Sequence, residues 1–286
     1  MAESAWSLPP DTSASQLTGF AMCPRRFMLR YVLGLDPEFR SVALIMGSTV
    51  GSAIAWWFEE RLARKERSID DALQVFEADF AAETIGAAVR WKETPREELI
   101  RKGQALVRLY LTEQGSLPVV EVEAPFRFDL EDPETGEVLP RAIKGYFDLV
   151  LEDGTIVELK TSSRKWSDFE LARHLQIGAY VAAGHIRSGG DPSCLAVHVL
   201  VKTKSPRLDV LSVERSEGQN RWWLRAAIDL ERAILAGNYP PTPGPLCVEC
   251  EYGRACTGWL SDSPRPGRAR ALPMVRNGGS PTARSI

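Results

Sequence analysis

The sequence predicts an α/β domain: a mixed β-sheet core flanked by helices, with a mostly helical N-terminal part and a C-terminal cysteine cluster. Three observations carry that prediction. The apolar period is helical up to about Gly115, it becomes alternating after Pro118, and one long helical run separates the third strand-like segment from two further ones. Helices, hairpins, a crossover helix, strands and a last helix, in that order, describe a sheet with both parallel and antiparallel neighbours.

Each element has a local reason. Between Ser15 and Leu33 the side chains of Leu17, Phe20, Phe27, Leu29, Tyr31 and Val32 fall around helical faces, and Pro24 splits the run into two short helices with Cys23 at the break. Helical pattern returns at about 44–66, at 69–85 behind Ser68 as N-cap, and at about 96–115. VVEVEAPFRFDL, AIKGYFDLVLED and GTIVELKT then read as strands, and Asp153-Gly154 is a hairpin signal between the last two. A single helix is expected over about 167–187, where Phe169, Leu171, Leu175, Ile177, Tyr180 and Val181 supply an apolar face. The strands CLAVHVLVK and RLDVLSVER and a helix at about 218–236 complete the core.

Composition narrows the class. The 286 residues allow one elaborated domain or two, and 44% hydrophobic with 26% charged residues excludes collagen-like, wholly disordered and disulfide-scaffold chains. A net charge of −3 means that any nucleic-acid partner must be met by a local basic surface. Five cysteines are too few and too uneven for a secreted framework, and MAESAWSLPPDTSASQ lacks the order of a signal peptide, so a cytoplasmic, reducing compartment is expected. Ser41–Phe58 runs 18 residues without a charge, but six are Ser, Thr or Gly and Glu59, Glu60 and Arg61 follow directly. A buried amphipathic helix is therefore expected, with no membrane partner. Residues 1–12 are expected to be flexible, 13–117 helical, 118–216 the α/β core, 217–259 a helix and cysteine segment, and 260–286 a disordered tail of local charge +4.

The chemistry concentrates in one hairpin. Along a strand alternate side chains share a face, so Glu158 and Lys160 project together while Leu159 points the other way, and the turn at Asp153-Gly154 returns Asp148 to the same end. Two adjacent carboxylates repel, and a hard cation such as Mg²⁺ or Mn²⁺ is the usual reason to hold them there. Lys160 beside them suits orienting a water or stabilising a phosphate oxygen. Further on, Gln176 and Tyr180 are four apart on a helix and share a face. Cys247, Cys250 and Cys256 form C-x2-C-x5-C, and a fourth thiolate comes from Cys23 or Cys194. Cys194 falls in a predicted strand among apolar residues, as an inert core cysteine does, whereas Cys23 precedes Pro24 at a helix break. Four thiolates alone suit zinc.

Gly145-Tyr-Phe-Asp148 followed by Glu158-Leu-Lys160 resembles the Gly-x-x-Asp and (Asp/Glu)-x-Lys strands of the PD-(D/E)XK nuclease superfamily. Gln176-Ile-Gly-Ala-Tyr180 resembles the Q-x-x-x-Y motif of its RecB-like branch. A CPRRF cysteine near the N-terminus joined to C-x2-C-x5-C resembles the iron-sulfur module of the AddB nuclease domain and the Cas-four exonucleases. The resemblance spans about Ser13 to Trp259 and implies a restriction-endonuclease-like fold. It implies that Asp148, Glu158 and the Leu159 carbonyl hold Mg²⁺ or Mn²⁺, that Lys160 is catalytic, and that Cys23, Cys247, Cys250 and Cys256 bind a 4Fe-4S cluster in place of zinc. It also implies DNA contacts by Gln176 and Tyr180. Arg25 and Arg26 beside Cys23 are candidates for phosphate contact, and Glu123 on the first strand for an accessory acid. Trp56-Trp57 and Trp222-Trp223 suggest stacking platforms, with one Trp of each pair in the core.

One departure stands out. The branch usually carries a metal-binding His in G-x-x-x-H, and here Gly47 is followed at that spacing by Gly51; His174, His185 and His198 lie elsewhere. The implied activity is exonucleolytic hydrolysis of single-stranded DNA or DNA ends in recombination, repair or phage-related processing. A trimming nuclease of CRISPR spacer acquisition with integrase partners, or an iron-sulfur DNA-binding protein with weak cleavage, are the alternatives the sequence leaves open.

Overall fold

The computed structural model describes residues 8–85, 88–91, 94–190 and 194–258; the tail expected at 260–286 lies outside them. The chain runs β1 (Thr12–Ser13), α1 (Ala14–Met22), α2 (Pro24–Phe27), a π-helical turn Met28–Val32, β2 (Arg40–Ser41), α3 (Val42–Leu62), α4 (Ile69–Thr84), β3 (Val89–Arg90) and α5 (Arg96–Gln114). Then come β4 (Val119–Phe128), β5 (Ile143–Leu151), β6 (Ile156–Ser162), α6 (Asp168–Arg173), α7 (Leu175–Arg187), β7 (Leu195–Val201), β8 (Arg207–Val213), α8 (Glu217–Leu235) and α9 (Gly253–Thr257). The expected helical N-terminal part, the three strands after Pro118 and the crossover helix are all present.

Local chemistry sets the boundaries. Ser68 caps α4 through a box with Asp71, and Ser167 and Ser216 do the same for α6 and α8 with Glu170 and Gln219. At the β5–β6 turn Gly154 takes φ +82°, a left-handed conformation that glycine adopts without strain, and Asp153 Oδ1 accepts from Thr155 N at 2.9 Å. The helix expected over 167–187 is two: it breaks at His174, whose φ −71° and ψ 118° are extended, and whose residue also caps α7.

β4, β5 and β6 form an antiparallel meander, β6 and β7 are parallel across the α6–α7 crossover, and β8 returns antiparallel to β7. The sheet forks. β5 and β6 pair only at Leu149–Val157 and Val150–Ile156, after which β6 stays with β7 along its whole length and β1 takes its place beside β5 at Ile143 and Lys144. Residues 8–12 are thus not the flexible terminus expected: Thr12 is fully buried, and Arg141 donates to the carbonyls of Pro9 and Asp11.

Two apolar cores cover the sheet faces. One gathers α1, α7 and α8 under Phe147, Ile156, Val197 and Val199; the other gathers α3, α4 and α5 over Leu149, Val157 and Leu200. Fully buried Phe147 lies 4.7 Å from the Phe126 ring and 5.6 Å edge-on to Tyr180, a packing whose truncation to alanine costs about 3–5 kcal/mol. α3 is long and apolar enough to cross a membrane, yet nine of its side chains, from Val42 to Phe58, are buried inside the protein. Trp57 and Trp223 are buried and Trp222 is exposed, the division expected for these pairs.

Candidate active site

The fork creates the site. Where β6 leaves β5 the ladder ends, and Asp148 Oδ2 accepts from the Leu159 N–H at 2.6 Å in place of a strand partner. Alternation along β5 slips at this point, since Phe147 belongs to one core and Leu149, two residues on, to the other. Opposite Asp148, β4 is distorted as well: Glu123 takes φ +46°, in the left-handed region a non-glycine residue rarely occupies. The gap is reached from both sheet faces, by α3 from one and by α7 from the other.

A cleft of about 440 Å³ occupies it, lined by Gly51, Glu123, Asp148, Glu158, Lys160 and Gln176 among others. Glu158 is 1% exposed, and Lys160, two residues on and therefore on the same face, forms an ion pair with its Oε1. Gln176 Nε2 donates to the same Oε1 at 3.0 Å and to the Tyr180 oxygen at 2.9 Å. Oε2 of Glu158 is buried without a donor among the described residues. The Asp148 and Glu158 carboxyls are neighbours, and the charge on Asp148 opposes ionisation of Glu158.

The electrostatics follow from that crowding. Burial, and then the neighbouring Asp148 charge, pushes the Glu158 carboxyl up to about 8 against the pull of Lys160. Burial likewise raises Asp148, opposed by the Leu159 N–H and by Lys160. Two carboxyls share one cation, and Glu158 Oε2 has no hydrogen-bond partner among the described residues. A divalent cation with oxygen ligands would fit this donor set, because it would satisfy Oε2 and take the place of the proton that burial and Asp148 favour on Glu158. Among the described residues no three His, Cys, Asp or Glu side chains approach closely enough to form a complete metal site by themselves.

Other expected site residues are placed as follows. Gln176 and Tyr180 do share a face, but Tyr180 is only 6% exposed, and the pair is engaged with Glu158. Arg26 forks onto Glu251, with Nη2–Oε1 at 2.6 Å and Nε–Oε1 at 3.0 Å, and Arg25 approaches the Met28 sulfur at 4.0 Å. Gly51 faces the cleft, and a Cβ built on it meets nothing within 4 Å. His174 is not on a regular helix face: it stacks on Trp166 at 5.0 Å, and burial together with the Lys160 charge lowers it to about 4.

The cysteine segment folds back on the α1–α2 break. Glu38 N donates to Glu251 O at 2.9 Å, Arg254 N to Glu38 Oε1 at 2.7 Å, and Tyr252 is buried at 2% exposure. Burial raises the Cys250 and Cys256 thiols, and Cys23 lies near enough to both to raise them further; Cys247 adds to the effect on Cys256. The four cysteines thus lie on the same side of the fold, although among the described residues no three of them are close enough to hold a metal as they stand; as a set of soft donors they would suit a thiophilic iron centre or zinc. Cys194 does not sit in the core as expected: it is exposed at the entry to β7.

Sequence reasoning passed over Tyr110, whose hydroxyl meets His198 Nδ1 at 3.0 Å under the sheet and whose pKa is raised by burial and by the Asp148 charge. An apolar helix stripe and an inward strand position show two core residues, and nothing in them signals the pairing.

The family model described as the PD-(D/E)XK nuclease superfamily matches residues 11–257 of this chain. No curated relative matches. Among solved structures, a protein of Eubacterium rectale named as a candidate exonuclease superposes with a TM-score of 0.53 at 15% identity, over 86% of this chain and 88% of that one, a likeness of fold. A second, SSO0001, gives a TM-score of 0.37 at 16% identity over 85% of this chain and 94% of that one, too low to carry an argument.

Proposed function

Because the chain belongs to the PD-(D/E)XK nuclease superfamily, we propose that it is a divalent-cation-dependent deoxyribonuclease that trims single-stranded DNA or DNA ends at the cleft of Asp148, Glu158 and Lys160. The observation that carries this reading is the crowding at the fork, where two buried carboxyls share one lysine and Glu158 Oε2 has no donor among the described residues.

Asp148, Glu158 and the Leu159 carbonyl would hold Mg²⁺ or Mn²⁺. Such a cation supplies Lewis acidity, polarising the scissile phosphate and making an attacking water more acidic. Gln176 fixes Glu158 Oε1 and is itself steadied by Tyr180, so the pair sets the direction in which Oε2 faces. Lys160 Nζ exchanges its bond to Glu158 for one to the water or to a phosphate oxygen, orienting the first and neutralising charge on the second. Asp148 keeps the Leu159 N–H occupied and so keeps the fork open. At the cysteine junction we assign a structural 4Fe-4S cluster to Cys23, Cys247, Cys250 and Cys256, which would weld the two ends of the chain in a reducing, intracellular compartment.

The test is anaerobic purification followed by a Mn²⁺-dependent assay on end-labelled single and double strands. Wild-type protein should shorten the labelled strands, and Lys160→Ala should lose at least about a hundredfold in rate with iron content and DNA affinity intact. Undiminished cleavage by that variant would remove the hairpin from the mechanism. Roughly four irons per chain are expected, lost in Cys23→Ala and kept in Cys194→Ala. One zinc and no iron would replace the cluster with a zinc site.

A further inference from the structure

The segment joining β6 to α7 leaves the cleft directly, since Thr161 lines the cleft and Ser162 follows it. It is held in one shape. Ser162 Oγ donates to Arg164 O at 2.7 Å, Arg164 Nη1 donates to Glu170 Oε2 at 2.8 Å, and the Ser167–Glu170 box caps α6. Trp166 stacks on His174 and packs against the core beneath α7. On this fixed base Phe169 stands 65% exposed, with the Arg173 guanidinium 4.0 Å over its ring.

A single exposed Phe is ordinary on a protein surface. Here its neighbours are also charged. Between residues 164 and 173 Arg164, Lys165 and Arg173 outnumber Asp168 and Glu170, in a chain whose net charge is −3. Glu170 is taken by Arg164, and among the described residues neither Lys165 nor Arg173 forms an ion pair. An aromatic face between unpaired cations, continuous with a phosphodiesterase cleft, matches a polyanion whose bases are unstacked.

We infer that residues 164–173 form a stacking ledge for single-stranded DNA leaving the cleft, with a base on Phe169 and phosphates on Lys165 and Arg173. The inference rests on the nuclease reading for its substrate, and its test is a binding measurement that needs no cleavage. With a chelator present, a labelled oligodeoxythymidylate should bind Phe169→Ala roughly 5- to 100-fold more weakly than wild type, while Phe169→Trp binds as well as wild type. Blunt duplex affinity should stay within about twofold. Lys165→Ala should flatten the salt dependence of single-strand binding by about 0.7 in the log–log slope. Because Phe169 is outside the core, the variants should melt with wild type, and this is measured alongside.

Single-strand binding by Phe169→Ala at wild-type strength would overturn the ledge, and so would a Phe169→Trp variant as weak as the alanine. The two readings fail separately. A wild type that binds single strands through Phe169 but cuts nothing in Mn²⁺ would leave the ledge and remove the nuclease; a wild type that cuts and a Phe169→Ala that binds and cuts equally well would do the reverse.

Discussion

Two buried charged groups lie in the same fold and are treated differently. At the N-terminal side of the sheet, Arg141 donates to Glu231 Oε1 at 2.9 Å, to the carbonyls of Pro9 and Asp11 at 2.9 and 3.0 Å, and to Gln16 Oε1 at 3.0 Å. Glu231 Oε2 has no donor among the described residues, yet one cation faces one anion and the group is neutral. At the fork, Asp148 and Glu158 share Lys160 among the described residues, and the group stays neutral only while Glu158 holds a proton that a cation in the open cleft could replace. The first arrangement stabilises the fold by pairing. The second depends on that proton beside a space large enough for a ligand, the usual signature of a site built for binding at the expense of stability.

The widest test of this contrast exchanges the two. Arg141→Ala would strand the Glu231 charge and release the N-terminal strand, costing about 3–5 kcal/mol in denaturation while the cleavage rate per folded molecule stays near wild type. Asp148→Asn keeps an acceptor for the Leu159 N–H and removes a like charge from Glu158, so the metal-free protein should gain about 1 kcal/mol and lose about a thousandfold in rate. If Arg141→Ala abolished catalysis without unfolding, or Asp148→Asn destabilised the metal-free protein, the contrast would be wrong.

A smaller effect appears in the pH dependence of stability. The Glu158 carboxyl is pushed from its ordinary 4.5 up to about 8, so over that window the folded metal-free protein holds a proton that the unfolded chain has released. The stability from this group is full below about 4.5 and falls as pH rises through about 8. Urea titrations in chelator from pH 5 to 8 should show the decline, and it should flatten in Asp148→Asn. Saturating Mn²⁺ should reverse it, with close to one proton released on binding at pH 7. An identical slope with and without Mn²⁺ would show that Glu158 is not where the cation sits.

The smallest effect concerns Gly51. Its Cβ position is open and on the cleft, and His is better than Gly in a helix interior by a few tenths of a kcal/mol. Gly51→His should fold, melt with wild type, and lower the Mn²⁺ concentration for half-maximal cleavage several-fold, through one added nitrogen ligand. Unchanged metal dependence would mean that another group already fills that coordination place.

How much of this was legible in the sequence depends on range. Strands whose signals are local, such as β6 with its Asp153-Gly154 turn, were readable, and so was the shared face of Glu158 and Lys160, which needs only a period of two. The split of α6 from α7 was not: the apolar positions continue through His174, and the break coincides with the extended backbone of His174, whose imidazole stacks on Trp166. The two-residue β1 carries no pattern, since its place is fixed by Arg141 and by the gap β6 leaves. For the same reason Asp148 and Glu158 could be brought together on paper, while the fork and the strained Glu123 that aim them could not. Phe169 was read as part of the helix's apolar face, whereas it stands exposed, and its position beside the cleft follows only once Thr161 is placed.

The junction of chain ends sets a clock on synthesis. Phe20 and Phe27 rest on Tyr239 at 6.2 and 6.1 Å, and Arg26 waits for Glu251, more than two hundred residues later. At a ribosome's rate of about 5–20 residues per second, α1 and α2 wait for on the order of ten to forty seconds before their seat is complete. During that time Leu17, Phe20 and Phe27 can meet β5 and α7 but not α8 or Tyr239, so α1 and α2 complete their packing only after the segments that follow them.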